Sequence, residues 1–169
     1  MKSILESEWL PLVNHEGLIL GMAPRSVCHN GSNLLHPVVH LHIFNSLGEL
    51  FLQKRPLNKL VQPGKWDTAV GGHVSYGDDI IEGLKRETLE ETGIVISGAD
   101  FFKRYIWKST VEHELVYMFT TTYDHPIEIN TGELDDGRFW TEQEIKAAFG
   151  NNIFTPNLEY ELELLLNRP

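Results

Sequence analysis

The chain is poor in several things at once. It has a single cysteine among 169 residues, Cys28, so an intrachain disulfide is excluded. It has no apolar run near the ~18 residues that a membrane span requires, which excludes a transmembrane helix. Its first residues, Met1 to Glu8, are too polar for the apolar stretch of a secretory signal, so the expectation is a cytoplasmic protein. It is short of positive charge, with 14 basic against 24 acidic residues and a formal net charge of −10. Without a local basic cluster, that surface repels a nucleic-acid backbone. A small diphosphate is different, because metal ions bridge it to carboxylates. There is no low-complexity segment and no internal repeat. With 41% hydrophobic residues, the chain has enough apolar material for a core and a length suited to one domain, residues 1–169.

Against these absences, one stretch is dense with chemistry. From Gly72 to Ile94 a glycine-flanked loop leads into a helix bearing Arg86, Glu87, Glu90 and Glu91. At about 100° per residue, the three glutamates fall at roughly 0°, −60° and +40°, on one face. Like charges so placed repel by a few tenths of a kcal/mol per pair, and hard, oxygen-seeking cations such as Mg²⁺ offset that repulsion best. Gly93 stands where a helix is expected to stop. Gly83, inside the helix, costs about 1 kcal/mol relative to Ala, and close approach to a strand is the expected reason.

The rest of the chain reads as alternating elements. Residues 8–13 and 17–23 suggest a hairpin turning at Asn14–Gly17. Val38–Asn45 alternates like a strand, with His40 and His42 on one expected half-exposed face. Glu49–Lys54 reads as the returning strand, and Trp66–Val70 as a short strand delivering the chain to the loop. Phe101–Lys108 and Glu114–Tyr123 form two aromatic-rich strands, and Arg138–Thr141 another. Thr141 with Glu144 spells a capping box. An amphipathic helix is expected from Asn157 to Asn167, after Pro156. Strands, one helix, strands and then helices indicate a mixed sheet with helices packed on it.

Gly72, Asp78, Arg86, Glu87, Thr88, Glu90, Glu91, Gly93 and Ile94 occupy the positions of G-x5-E-x7-R-E-U-x-E-E-x-G-U, where U is a bulky aliphatic residue. This resembles the Nudix box. Asp78 departs by one methylene and Thr88 by a hydroxyl. The resemblance implies an α/β (α+β) fold, a Nudix α/β/α sandwich around a mixed sheet. It covers about residues 38–148, with the N-terminal hairpin and C-terminal helix as flanking additions. It also implies a pyrophosphohydrolase using Mg²⁺ or Mn²⁺. Glu87, Glu90 and Glu91 are then the metal ligands, with the Gly71 carbonyl as a further one. Glu90 is a third ligand or the general base, and Arg86 orients a carboxylate through a bidentate salt bridge. Arg55 and Lys65 flank the loop as candidates for substrate phosphates, with His73 as a third, and Glu133 and Asp136 lie where late acidic residues occur. Trp66 and Asp67 are expected to fix the loop.

A second resemblance reaches beyond the box. Leu35–Arg55 and Pro63–Val74 are similar to the branch that includes isopentenyl diphosphate isomerase, which binds a metal through three histidines and two glutamates. The positions here are His29, His36, His73, Glu112 and Glu114. The isomerase also needs a cysteine in a Cys-Gly-His context, and this chain reads Gly71-Gly72-His73. The leading expectation is therefore hydrolysis of a diphosphate in a nucleoside diphosphate linked to another moiety. An isomerase-like enzyme and a non-catalytic nucleotide-binding module are the alternatives. The expected partner is a small-molecule diphosphate, not a nucleic acid or a membrane, and a homodimer is compatible with the sequence.

Overall fold

The computed structural model describes residues 8–167. Met1–Ser7, on which the secretory-signal reading rests, lies outside them. The chain's internal contacts divide it into two units. The first comprises residues 8–40, 71–87 and 101–119, and the second residues 41–70, 88–100 and 120 onward.

The first unit begins with strands β1 (Trp9–Val13) and β2 (Ile19–Pro24), paired antiparallel as the hairpin expected from the sequence. The Asn14 side chain makes the turn, its Oδ1 accepting from the amides of Glu16 and Leu18. Gly17 follows at φ +87°, a conformation that favours glycine. A single helical turn comes next, α1 (Arg25–Cys28). It has no side-chain cap and too few residues for a periodic signal, and the sequence did not announce it. Leu10, Ala23 and Cys28 pack together beneath it.

Strand β3 (His36–Phe44) starts in this unit. So do helix α2 (Ile80–Thr92) and β8 (His113–Thr122), while β6 (Val70–His73) and β7 (Asp100–Lys108) have all but their first residue in it. In place of one strand over Trp66–Val70, the chain forms two, β5 (Trp66–Thr68) and β6, interrupted at Ala69. A Cβ built on Gly83 would stand 3.2 Å from a Val74 methyl, so the glycine in α2 is there for close approach to the residue following β6.

The second unit holds β4 (Leu50–Lys54) and β9 (Asp136–Trp140), with helices α3 (Glu142–Ala148) and α4 (Pro156–Leu166). Hydrogen bonding along the sheet runs β5-β4-β3-β8-β7, with β6 also on β3 and β9 also on β4. Thr141 and Glu144 form the capping box of α3, and Thr155 caps α4. Leu158, Leu162 and Leu165 make the buried stripe of α4. Full burial of such a side chain stabilises by about 1.5–3 kcal/mol.

The strand expected to be half-exposed is not. His40 is 8% and His42 0% exposed. Alternation of residue type misled because β3 has strands on both sides and cover on both faces, and His42 is made tolerable there by a partner from α4. Its Nε2 donates to the Glu161 carboxylate at 2.7 Å, and Thr68 Oγ1 donates to the same oxygen at 3.0 Å. Most buried polar groups are bonded in this way, although His42 Nδ1 has no hydrogen-bond partner.

Candidate functional site

Three histidines and a glutamate converge in the first unit. His29 ends α1, His36 opens β3, His73 closes β6, and Glu114 lies near the start of β8. One ligand-type atom from each lies within 4.8 Å of all the others. Segments far apart in sequence deliver them, so the cluster is a product of the fold.

The protonation pattern suits ligands. His36 Nδ1 donates to the Leu34 carbonyl at 2.9 Å, which leaves Nε2 as a lone pair inside the cluster. That Nε2 is buried and lacks a hydrogen-bond partner, with Glu114 Oε1 at 3.9 Å. Burial pushes the His36 imidazole below its ordinary value. His73 is pushed well below it, first by burial and then by the charges of Arg25 and His29. Neutral imidazoles are the form that binds metals. His29 Nε2 approaches His73 Nε2 at 2.8 Å, and its Nδ1 faces Glu112 Oε1 at 3.4 Å. A set of three imidazoles and a carboxylate suits Zn, Fe or Mn rather than Mg. All five residues expected from the sequence are thus brought together, four as one cluster and Glu112 against His29.

The acidic helix is built differently. The Glu87 carboxylate is seated against the Cα of Gly72, where an added Cβ would stand 2.1 Å from its Cδ. The first glycine of the box is therefore a steric requirement of the glutamate. Arg86 Nη1 donates to Glu87 Oε1 at 2.7 Å. The same guanidinium donates to the His73 carbonyl at 3.0 Å, to Ser75 Oγ at 3.2 Å and to Asp78 Oδ2 at 3.4 Å. Arg86 is thus shared between the Glu87 carboxylate and the loop that precedes the helix. The shorter Asp78 keeps its partner, Arg86, despite the lost methylene. Downstream on the same unbroken helix come Glu90, exposed, and Glu91, half-buried. Gln53 Nε2 donates to Glu91 Oε2 at 2.9 Å, and the Glu91 carbonyl accepts from the Asn130 amide. The seat on Gly72 is a cradle that only glycine leaves open, and carboxylate oxygens such as those of α2 are the kind of donor that hard divalent cations take.

Gly71 carries no side chain, yet there is room for one. A Cβ there would meet the His40 ring at 3.6 Å, an ordinary contact. Cys28 does not substitute for a thiol at that place. It is 0% exposed among Leu10 and Ala23, and burial pushes its thiol up.

The candidates for substrate phosphates have partners within the protein. Arg55 grips its own loop, bonding the Val61 carbonyl and the Asp67 carboxylate. Lys65 donates to Asn152 Oδ1 at 2.7 Å. Asp67 also accepts from the Thr155 hydroxyl, so it does fix the loop. The contacts of Gln53, Ser75 and His40 escaped the sequence reading. The one available signal was Gln53, an amide ending the apolar run Leu50-Phe-Leu. Among the described residues, no helix is long and apolar enough to cross a membrane.

Known proteins share this arrangement of chain. A Nudix hydrolase of Pseudomonas aeruginosa is 30% identical over 134 residues, covering 79% of each chain. The isopentenyl-diphosphate delta-isomerase of Clavibacter sepedonicus is 23% identical over 167 residues, covering 94% of this chain and 88% of its own. The crystal structure of DR0079 from Deinococcus radiodurans superposes with a TM-score of 0.74 at 24% identity, over 95% of this chain and all of that one. The NUDIX domain profile matches residues 34–158, a span holding the box loop, α2, and all of the cluster except His29. With its glycine-seated glutamate and its Nudix-type mixed sheet and helices, the chain belongs to the Nudix family.

Proposed function

We propose that the protein is a metal-dependent hydrolase cleaving a diphosphate bond in a nucleoside diphosphate linked to another moiety. The observation that carries this reading is the Glu87 carboxylate held against Gly72 by Arg86, on the helix that also bears Glu90 and Glu91. Glu87, Glu90 and Glu91, with the Gly71 carbonyl, would hold Mg²⁺ or Mn²⁺. Such ions neutralise the diphosphate and lower the pKa of bound water. Arg86 orients Glu87. Glu90, the exposed member, accepts the proton of the attacking water. The water oxygen bonds to phosphorus, the bridging P–O bond breaks, and the leaving oxygen carries away the negative charge. The histidine cluster and Glu112 would hold a second, softer metal, with His73 beside the substrate.

The expected result is that Glu90→Gln and Glu91→Gln each lose at least ~100-fold in kcat while remaining folded. The assay follows phosphate release from a panel of nucleoside diphosphate sugars, dinucleoside polyphosphates, nucleotides and coenzymes, with Mg²⁺ or Mn²⁺. Normal turnover in both variants, or no cleavage by the unaltered protein, refutes the reading.

A second reading is favoured by one observation, the convergence of His29, His36, His73 and Glu114. It is an isomerase-like activity on a prenyl diphosphate. Gly71 stands against it, since proton transfer at that place lacks a thiol. Conversion of isopentenyl diphosphate by the unaltered protein would establish this reading over hydrolysis.

A further inference from the structure

Strand β4 is buried along nearly its whole length. Leu50 and Phe51 are 3% exposed, Leu52 is 0% and Gln53 is 6%. Gln53 pairs with Asp67 of β5 on one side and Gly137 of β9 on the other. A strand enclosed in this way is ordinarily apolar throughout, and an amide placed there is unfavourable unless bonded. The Gln53 side chain reaches a single kind of partner that explains it, the Glu91 carboxylate, at 2.9 Å. An ionised carboxylate only accepts, so the amide nitrogen faces it.

We infer that Gln53 is a positioning residue for the metal-binding carboxylate Glu91. The inference rests on the proposal that α2 holds a divalent cation. The two glutamates whose supports are visible are held by opposite chemistry. Glu87 receives its bond from a guanidinium, whose positive charge offsets that of the carboxylate. Glu91 receives a bond from a neutral amide, which fixes one oxygen without itself adding a positive charge. The Glu91 main chain is fixed as well, its carbonyl accepting from the Asn130 amide at 3.1 Å. With backbone and one oxygen both held, the orientation of the carboxylate is restricted. Partners that orient a ligand typically contribute 10–100-fold in metal affinity.

The test is a Mn²⁺ titration followed by the electron paramagnetic resonance signal of the free ion. It is carried out on the full chain with His73→Gln, so that the histidine cluster does not take up the ion. Against that background, Glu91→Gln reports the share held by α2. Gln53→Met keeps the side-chain length and removes the donor. It is expected to weaken Mn²⁺ binding by about 10–100-fold with the melting temperature of the metal-free protein unchanged. Gln53→Glu, which replaces the donor with an acceptor at constant size, should show the same loss and serves if the Met variant does not fold. If Glu91→Gln weakens binding and the Gln53 variants do not, the positioning role is overturned while the metal reading stands. If Glu91→Gln changes nothing, α2 holds no ion, and the metal reading and this inference fall together.

Discussion

Two sets of buried histidine in this protein have opposite surroundings. His42 is packed into the second unit with its Nε2 against the Glu161 carboxylate, and Thr68 completes that oxygen's bonding. His36 is equally buried, but its Nε2, which has no hydrogen-bond partner, lies among His29, His73 and Glu114. The first set is a hydrogen-bonded pair that ties α4 to the strands through one ring nitrogen, His42 Nδ1 having no hydrogen-bond partner. The second brings three imidazoles and a carboxylate together, with His29 Nε2 hydrogen-bonded to His73 Nε2 at 2.8 Å, a donor set that suits a cation. Burial alone does not separate a structural histidine from a ligand histidine, nor does an unpartnered ring nitrogen, which both have; the other ligand-type atoms gathered around the ring do.

The comparison can be broken by substitution. The largest expected effect is on the His42–Glu161 pair. His42→Ala removes a 2.7 Å partner from the buried Glu161 carboxylate, and removing one member of such a pair costs about 3–5 kcal/mol. Urea unfolding measures it, and the metal content of the purified protein should not change. A loss below 1 kcal/mol would mean that the network does not tie α4 down. The converse applies to His73→Gln. It is expected to cost metal affinity at least ~100-fold, as loss of a direct ligand should exceed the 10–100-fold loss of a ligand's partner. The unfolding midpoint of the metal-free protein should stay near that of the unaltered chain. Elemental analysis after dialysis against a chelator series is the measurement, and unchanged metal content would reduce the cluster to packing.

The smallest effect sharpens the contrast through pH. His36 and His73 have imidazoles held below the ordinary value of 6.5 in the folded state. The unfolded chain therefore binds protons more readily than the folded one over that interval. Stability of the metal-free protein is present above the unfolded value and is lost as pH falls through the lowered folded values. His73→Gln should flatten that decline, and unfolding curves between pH 7 and pH 5 test it. An unaltered slope would place the acid sensitivity elsewhere.

Much of the site was legible because its parts are local. The face shared by Glu87, Glu90 and Glu91 follows from helical periodicity alone, and the two glycines that bound it match the pattern residue by residue. The capping box at Thr141 and the hairpin at Asn14–Gly17 were readable for the same reason, since each involves bonds across two to four residues. The three histidines were readable only through a family resemblance, because nothing in their spacing brings His29 to His73. The polar residues of the interior were misjudged or passed over. His42 looked like the polar face of a strand, and Gln53 like the end of an apolar run. Their partners, Glu161 and Glu91, lie 119 and 38 residues away.

The order of residues alone determined the helix, its acidic face, its glycine boundaries and the missing thiol at Gly71, since local geometry and covalent identity need no third dimension. Tertiary structure decided which carboxylate meets a cation and which an amide. It also decided which histidines converge, and why Gly72 admits no side chain. Those outcomes depend on what lies across a few ångströms of space between segments that the chain's own periodicity leaves unrelated.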